Sequence, residues 1–257
     1  MTMIESIIVL VVVAFICEYV DATVGMGFGT ILTPALIILG YEPVTLVPVV
    51  LFAQFFAGFV SSAFHHQFRN MNLVDDKEER NAFYIFGITG VIGILLSTFS
   101  VITLPGFLVK MYITLAVMTM GVIMVVTRNH EISYSKSKLM VMGTIAAFNK
   151  GISGGGYGAI VVGGQIVSDI KPRAAVAITT LIEGMLCAIG FLIHLFIRGF
   201  PSLLFIIPIT AGGVAAAPLS AITVSKLNDQ HVKEIIAACT FLVGFITFLW
   251  VLTGGYV

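Results

Sequence analysis

Charge is what this sequence has least of. Only 10% of its 257 residues are Asp, Glu, Lys or Arg, against about 25% in soluble domains, which excludes a soluble globular fold. The thirteen basic and thirteen acidic residues cancel, so the basic footprint of a nucleic-acid-binding protein is missing. Cysteine is scarce as well. Cys17, Cys187 and Cys239 all lie in apolar stretches and read as small buried hydrophobes, not as a disulfide framework. No G-x-x-x-x-G-K-[ST] string occurs, so a nucleotide-binding P-loop is absent, and no motif calls for a cofactor or a metal ion. The start, Met1-Thr-Met-Ile-Glu5, has no basic n-region and no small-residue cleavage site follows. The first apolar stretch is therefore expected to be a retained span and not a signal peptide.

What the chain has instead is hydrophobicity, glycine and an internal copy of itself. Hydrophobic residues make up 58% of it, and it carries 26 glycines. Adding 129 to a residue number in the first half finds a related residue in the second. Gly25 answers to Gly154, Gly27 to Gly156, Phe28 to Tyr157, Gly29 to Gly158, Gln54 to Glu183, His65 to His194 and Arg69 to Arg198. Further along, the offset falls to 123, pairing Gly90 with Gly213 and Lys110 with Lys233. The chain divides into repeats 1–128 and 129–257. A duplicated apolar chain with a Gly-rich centre in each copy has the sequence character of a secondary transporter.

The expected fold is an all-α polytopic membrane protein with five helical segments per half. They lie near 4–20, 28–40, 44–64, 83–103 and 107–127, then 139–149, 157–169, 173–196, 203–224 and 232–252. The second segment of each half, at about a dozen residues, rises only about 18 Å, less than the ~30 Å of hydrocarbon. Each follows a glycine cluster, Gly25-Met-Gly-Phe-Gly29 or Gly154-Gly-Gly-Tyr-Gly158. Broken or re-entrant helices led by these Gly-rich tips are expected there, lining a protein cavity. If every segment changes side, or each first pair forms a hairpin, Lys and Arg sort ten to three: Lys110, Lys150 and Arg198 stand against the rest. The positive-inside bias favours that arrangement. It places both termini outside a cell membrane, and five segments per half make the two repeats inverted. The run Asp75-Asp-Lys-Glu-Glu-Arg80 is expected as a solvated cytoplasmic loop.

The residue types then point to a small anion. A helix start leaves N–H groups unpaired at an end carrying about half a positive charge, and glycine lets a ligand approach the backbone. Two such starts, at Phe28 and Tyr157, facing each other would hold an anion. The candidate substrate site is Thr23, Gly25, Gly27, Phe28, Gly29, Thr30, Gln54, Lys150, Ser153, Gly154, Gly156, Tyr157, Gly158 and Glu183. The same glycines also fit small-xxx-small helix packing. Glu183 lies mid-segment, where a charge costs roughly 2.5–3.5 kcal/mol on insertion scales; both a functional role and a bond to a neighbouring helix fit it. Lys150 either attracts the anion or pairs with Asp21. Glu183 and Glu18 are the candidates for proton or sodium coupling, and Asp21 stands with Glu18 as a coupling or vestibule residue. His65 with Arg69 and His194 with Arg198, each four residues apart, share a helix face as vestibule charges or as snorkelling helix ends. Gly151-Ile-Ser-Gly-Gly155 matches the G-x-S-x-G of serine hydrolases, but that motif needs a strand-to-helix elbow and an oriented His. An enzyme is not expected.

At these residues the chain resembles the sulfite exporter TauE/SafE-type permeases. The likeness rests on Asp21-Ala-Thr-Val-Gly-Met-Gly-Phe-Gly-Thr30 with Pro34, on Gly40-Tyr-Glu-Pro43, on Asn149-Lys-Gly-Ile-Ser-Gly-Gly-Gly-Tyr-Gly158, and on Lys171-Pro-Arg-Ala-Ala-Val176 followed by Glu183. It implies sulfite, an organosulfonate or another sulfur-containing anion as the substrate. The inverted repeats are expected to move it by alternating access, and an inside-negative potential favours export. Cation-coupled uptake of the same anions and an anion channel are the alternatives. A lipid bilayer and a small anion are the expected partners.

Overall fold

The computed structural model describes residues 3–38, 41–105 and 136–228, with 108, 109, 112, 115, 230 and 231. The described residues form eight α-helices and no strand. These are α1 (Met3–Val24), α2 (Phe28–Ile38), α3 (Pro43–Gln67), α4 (Lys77–Thr103), α5 (Lys136–Ser153), α6 (Gly158–Val167), α7 (Pro172–Arg198) and α8 (Leu203–Lys226). Of the expected segments, 107–127 lies almost wholly and 232–252 wholly outside the described residues.

Local chemistry sets the helix ends. Both α1 and α5 stop at a glycine in the left-handed region, Gly25 at φ 79° and Gly154 at φ 73°. The N–H groups of these two glycines close the last turns onto the carbonyls of Asp21 (2.6 Å) and Lys150 (2.7 Å). Glycine takes that conformation without a Cβ penalty. Helices α3 and α7 both open on proline, Pro43 and Pro172, where the missing N–H would have had no helical partner. Helix α4 begins six residues before the expected 83. The Asp76 carboxylate accepts from the N–H groups of Glu78 (2.9 Å) and Glu79 (3.1 Å). The charged run expected as a loop is therefore capped into a first turn, and its two glutamates suit the positive helix end.

Helices α1, α3, α4, α7 and α8 are long and apolar enough to cross a membrane. Helices α2 and α6, with 11 and 10 residues, rise about 15 Å, half the ~30 Å hydrocarbon. Ile4, Ile8, Val12 and Ile16 line an exposed face of α1, and Tyr84, Ile88, Ile92, Leu95 and Phe99 do so on α4. Glu18, Asp21, Gln54, Lys150 and Glu183 are buried. Apolar outside and charged inside reverses the pattern of a soluble protein and suits lipid as the solvent.

The packing is exchanged between the two sequence halves. The most extensive neighbours of α1 and α5 are α8 and α4 respectively. Glycine makes both approaches possible. A Cβ at Gly93 would lie 2.3 Å from the Thr144 carbonyl oxygen, and one at Gly212 would lie 2.3 Å from that of Val11. At the centre, α3 crosses α7. Gly58 sits against Gly184 and Thr180, while Leu51 sits against Gly190, so these two helices run antiparallel.

Candidate functional site

The two glycine turns meet. A Cβ at Gly29 would stand 1.6 Å from the carbonyl oxygen of Gly154, and one at Gly158 would stand 1.5 Å from that of Gly25. Each contact is the other's counterpart at offset 129. The turns press backbone to backbone, and Gly27 (φ 146°) and Gly156 (φ 80°) complete their left-handed bends. Proximity of the tips is as the sequence leads one to expect. An open cradle of backbone donors between them is not what the structure holds. The Phe28 N–H donates to Asp21 Oδ1 (3.1 Å), and the Gly156 N–H donates across the interface to Thr30 Oγ1 (3.0 Å). The reason is steric: with glycine at 25, 29, 154, 155 and 158, nothing keeps the two backbones apart.

The hydroxyls are taken up locally. Thr23 Oγ1 donates to the Tyr19 carbonyl (2.6 Å). Ser153 Oγ bonds the Asn149 carbonyl (2.8 Å) and accepts from the Gly155 N–H (3.1 Å). Ser153 ends a helix and stands on no strand-to-helix elbow, so the hydrolase-like string has no hydrolase geometry. Phe28 and Tyr157 are fully buried, and the Tyr157 hydroxyl points to the Phe86 carbonyl at 3.4 Å.

Beside the turns runs a buried polar chain. Asp21 Oδ2 accepts from Gln54 Nε2 at 2.7 Å. Gln54 Oε1 accepts from Lys150 Nζ, and Lys150 Nζ forms an ion pair with Glu183 Oε1 at 2.6 Å. The amide orientation is fixed, since a carboxylate can only accept and an ammonium only donate. Lys150 is 0% exposed and Glu183 3%. Lys150 therefore pairs with Glu183 and touches Asp21 only through Gln54. The carboxylate of Asp21 instead sits on the α2 N-terminus, where the helix dipole favours it. Removing one partner of such a buried pair costs about 3–5 kcal/mol, because the other is stranded. Glu18, one turn before Asp21, is 1% exposed, and neither carboxyl oxygen has a hydrogen-bond partner.

The two histidines differ. His65 Nε2 bonds the Ala22 carbonyl (3.2 Å) and its Nδ1 accepts from Asn70 Nδ2 (2.9 Å), which also reaches the Ala221 carbonyl (3.1 Å). The Asn70 donor fixes the tautomer, with the proton on Nε2. His194 is 1% exposed, and neither ring nitrogen has a partner. The expected helical pairing with arginine holds only for His194 and Arg198. Helix α3 ends at Gln67, so Arg69 (φ 55°) lies beyond it. Both arginines are exposed while both histidines are buried, so neither pair forms one vestibule face. Asn70, which ties α3 to α8, carried no signal in the sequence, because its partner is a backbone carbonyl 151 residues away.

A chain with glycine turns in contact and one lysine fully buried among carboxylates matches the family described as sulfite exporter TauE/SafE over residues 10–247. The chain belongs to the sulfite exporter TauE/SafE family. It is also similar to "Probable membrane transporter protein YtnM" of Bacillus subtilis (strain 168), at 24% identity over 254 residues, covering 93% of this chain and 81% of that one. No solved structure matches it. A TauE/SafE member with five helices able to cross a membrane among its described residues is a membrane transporter, not an enzyme.

Proposed function

We propose that this TauE/SafE member exports a small sulfur-containing anion, sulfite or an organosulfonate, by alternating access between two inverted repeats, 1–128 and 129–257. The observation that carries the reading is Lys150, a cation buried one turn before Gly154 and bonded to Gln54 of the other half. The protein's own carboxylates occupy its two positive groups: Glu183 holds the ammonium, and Asp21 holds the α2 N-terminus. A sulfonate presents the same kind of acceptor oxygens and competes for Lys150. The anion therefore sits beside the turns at Lys150, Gln54 and the start of α2, not between two open backbone cradles.

Inversion is supported by α3 and α7. They are counterparts in sequence, both starting on proline, yet they pack antiparallel. Counterparts related by an axis in the membrane plane do this; an axis along the membrane normal would leave them parallel. Short α2 and α6, each behind a glycine turn, then act as re-entrant halves whose irregular backbone is covered by protein. Rocking of α3 and α7 across Gly58 and Gly184 is the motion that small residues permit. The positive-inside bias puts both termini outside the cell membrane. An inside-negative potential favours anion exit by about 2.3 kcal/mol per charge per 100 mV.

The test is flux from proteoliposomes loaded with sulfite or methanesulfonate at a clamped potential, with and without a pH gradient. Saturable efflux, faster with the interior negative and lost in Lys150→Gln, is expected. Conductance without saturation makes the protein a channel, and sodium binding with no anion binding replaces the anion reading with a cation one.

A further inference from the structure

We propose, building on the anion site at Lys150, that Glu18 is a proton-binding site whose occupancy decides whether the anion can bind. Among the described residues, three carboxyl groups, Glu18, Asp21 and Glu183, share the buried region with one ammonium, Lys150. Two of the three are matched. Glu183 has the ammonium, and Asp21 has the α2 N-terminus and the Gln54 amide. Both oxygens of Glu18 have nothing. The Glu18 Cγ, the Ala57 Cβ and the Phe28 ring all lie within 4 Å of the place a Gly213 Cβ would take, which sets Glu18 among α2, α3 and α8, and it is 1% exposed. The charged or titratable groups facing it are Cys17 and Asp21 on its own helix, Lys150 on α5, and Glu183 and Cys187 on α7.

An unmatched carboxylate in such surroundings is far more costly than a neutral acid. A cation must supply the match. Among the described residues, no three His, Cys, Asp or Glu side chains are placed to hold a metal ion. A proton needs no ligand shell, and it fits a buried carboxyl whose two oxygens have no hydrogen-bond partner. The link to the anion is electrostatic. An anion that takes Lys150 releases Glu183 as a second unmatched carboxylate beside Glu18. With Glu18 neutral, the region gains one negative charge on anion binding; with Glu18 ionised, the same charge joins another already unmatched one. The anion therefore binds the protonated form, and its affinity falls as pH rises and Glu18 loses the proton.

The experiment uses the full chain in nanodiscs with methanesulfonate, whose charge is constant near neutral pH. Affinity is measured by calorimetry from acid to alkaline pH, alongside the infrared carbonyl band of a protonated carboxylic acid. In the wild type, affinity is expected to be flat at low pH and then to fall about tenfold per pH unit, as one linked proton requires. The acid band should disappear over the same range. Glu18→Gln, a permanent stand-in for the neutral acid, should bind without the alkaline fall and lack the band. An alkaline fall that persists in Glu18→Gln assigns the titration to Lys150 or another neighbour and overturns the proposal, as does a wild type with flat affinity. If Glu18→Gln does not fold, the wild-type band decides: its absence at neutral pH overturns the assignment. If methanesulfonate and sulfite both fail to bind at every pH, the transport reading fails on its own. A missing band with normal anion binding sinks Glu18 alone.

Discussion

Set side by side, the two halves share a skeleton and differ in what they do with charge. Each stops its first helix on a left-handed glycine, each opens its third on proline, and each presses one glycine onto the other's turn. At the matching buried positions, the first half has Asp21 and Gln54 where the second has Lys150 and Glu183. The halves join through that mismatch, with Gln54 of one bonded to Lys150 of the other. The histidines diverge in the same way, one fully bonded and one without partners. The shared frame is symmetric, and the unlike residues at its centre give the candidate site a polarity that two identical halves would lack.

The shared part of this comparison is broken most severely at its contact points. Gly158→Ala and Gly29→Ala each drive a Cβ into a carbonyl oxygen of the opposite turn. Each is expected to lose more than about 4 kcal/mol, an effect size reserved for mechanisms of this kind, and to abolish monodisperse protein in size-exclusion chromatography. If only one of the two does so, the turns are not equivalent. Next comes the charged centre. Lys150→Met strands Glu183 and should cost about 3–5 kcal/mol in thermal unfolding. Lys150→Met with Glu183→Leu should recover most of that stability without restoring anion binding. A smaller effect is expected from Asp21→Asn, which removes the charge at the α2 N-terminus for about 0.5–2 kcal/mol. If the anion competes for that helix start, its affinity rises in this variant; an unchanged affinity places the anion on Lys150 alone. Smallest is the difference between the histidines. His65→Phe breaks two buried bonds and leaves their partners unmatched, about 1–3 kcal/mol. His194→Phe loses no bond and should stay within about 1 kcal/mol. Equal losses would mean that His194 has partners of its own.

Much of the frame was legible in the sequence because it is local. Gly25 and Gly154 stop helices by their backbone freedom, Pro43 and Pro172 start them, and apolar length marks the helices able to cross a membrane among the described residues. Charge near an end misled at Lys77–Arg80, where the Asp76 cap made a helix of an expected loop. The site was half legible. Gln54, Lys150 and Glu183 stood out as polar residues in apolar segments, but which pairs with which depends on groups 96 and 33 residues apart.

By itself, the sequence determined the class of protein, the pattern repeated at offset 129, the glycine turns and a set of polar residues within apolar segments, since composition, periodicity and backbone chemistry act within a few residues. Tertiary structure decided that the turns touch with no gap, that Lys150 takes Glu183 and not Asp21, that Glu18 is left without a partner, and that His65 is bonded while His194 is not. Those outcomes depend on distances between helices remote in the chain, which packing alone sets.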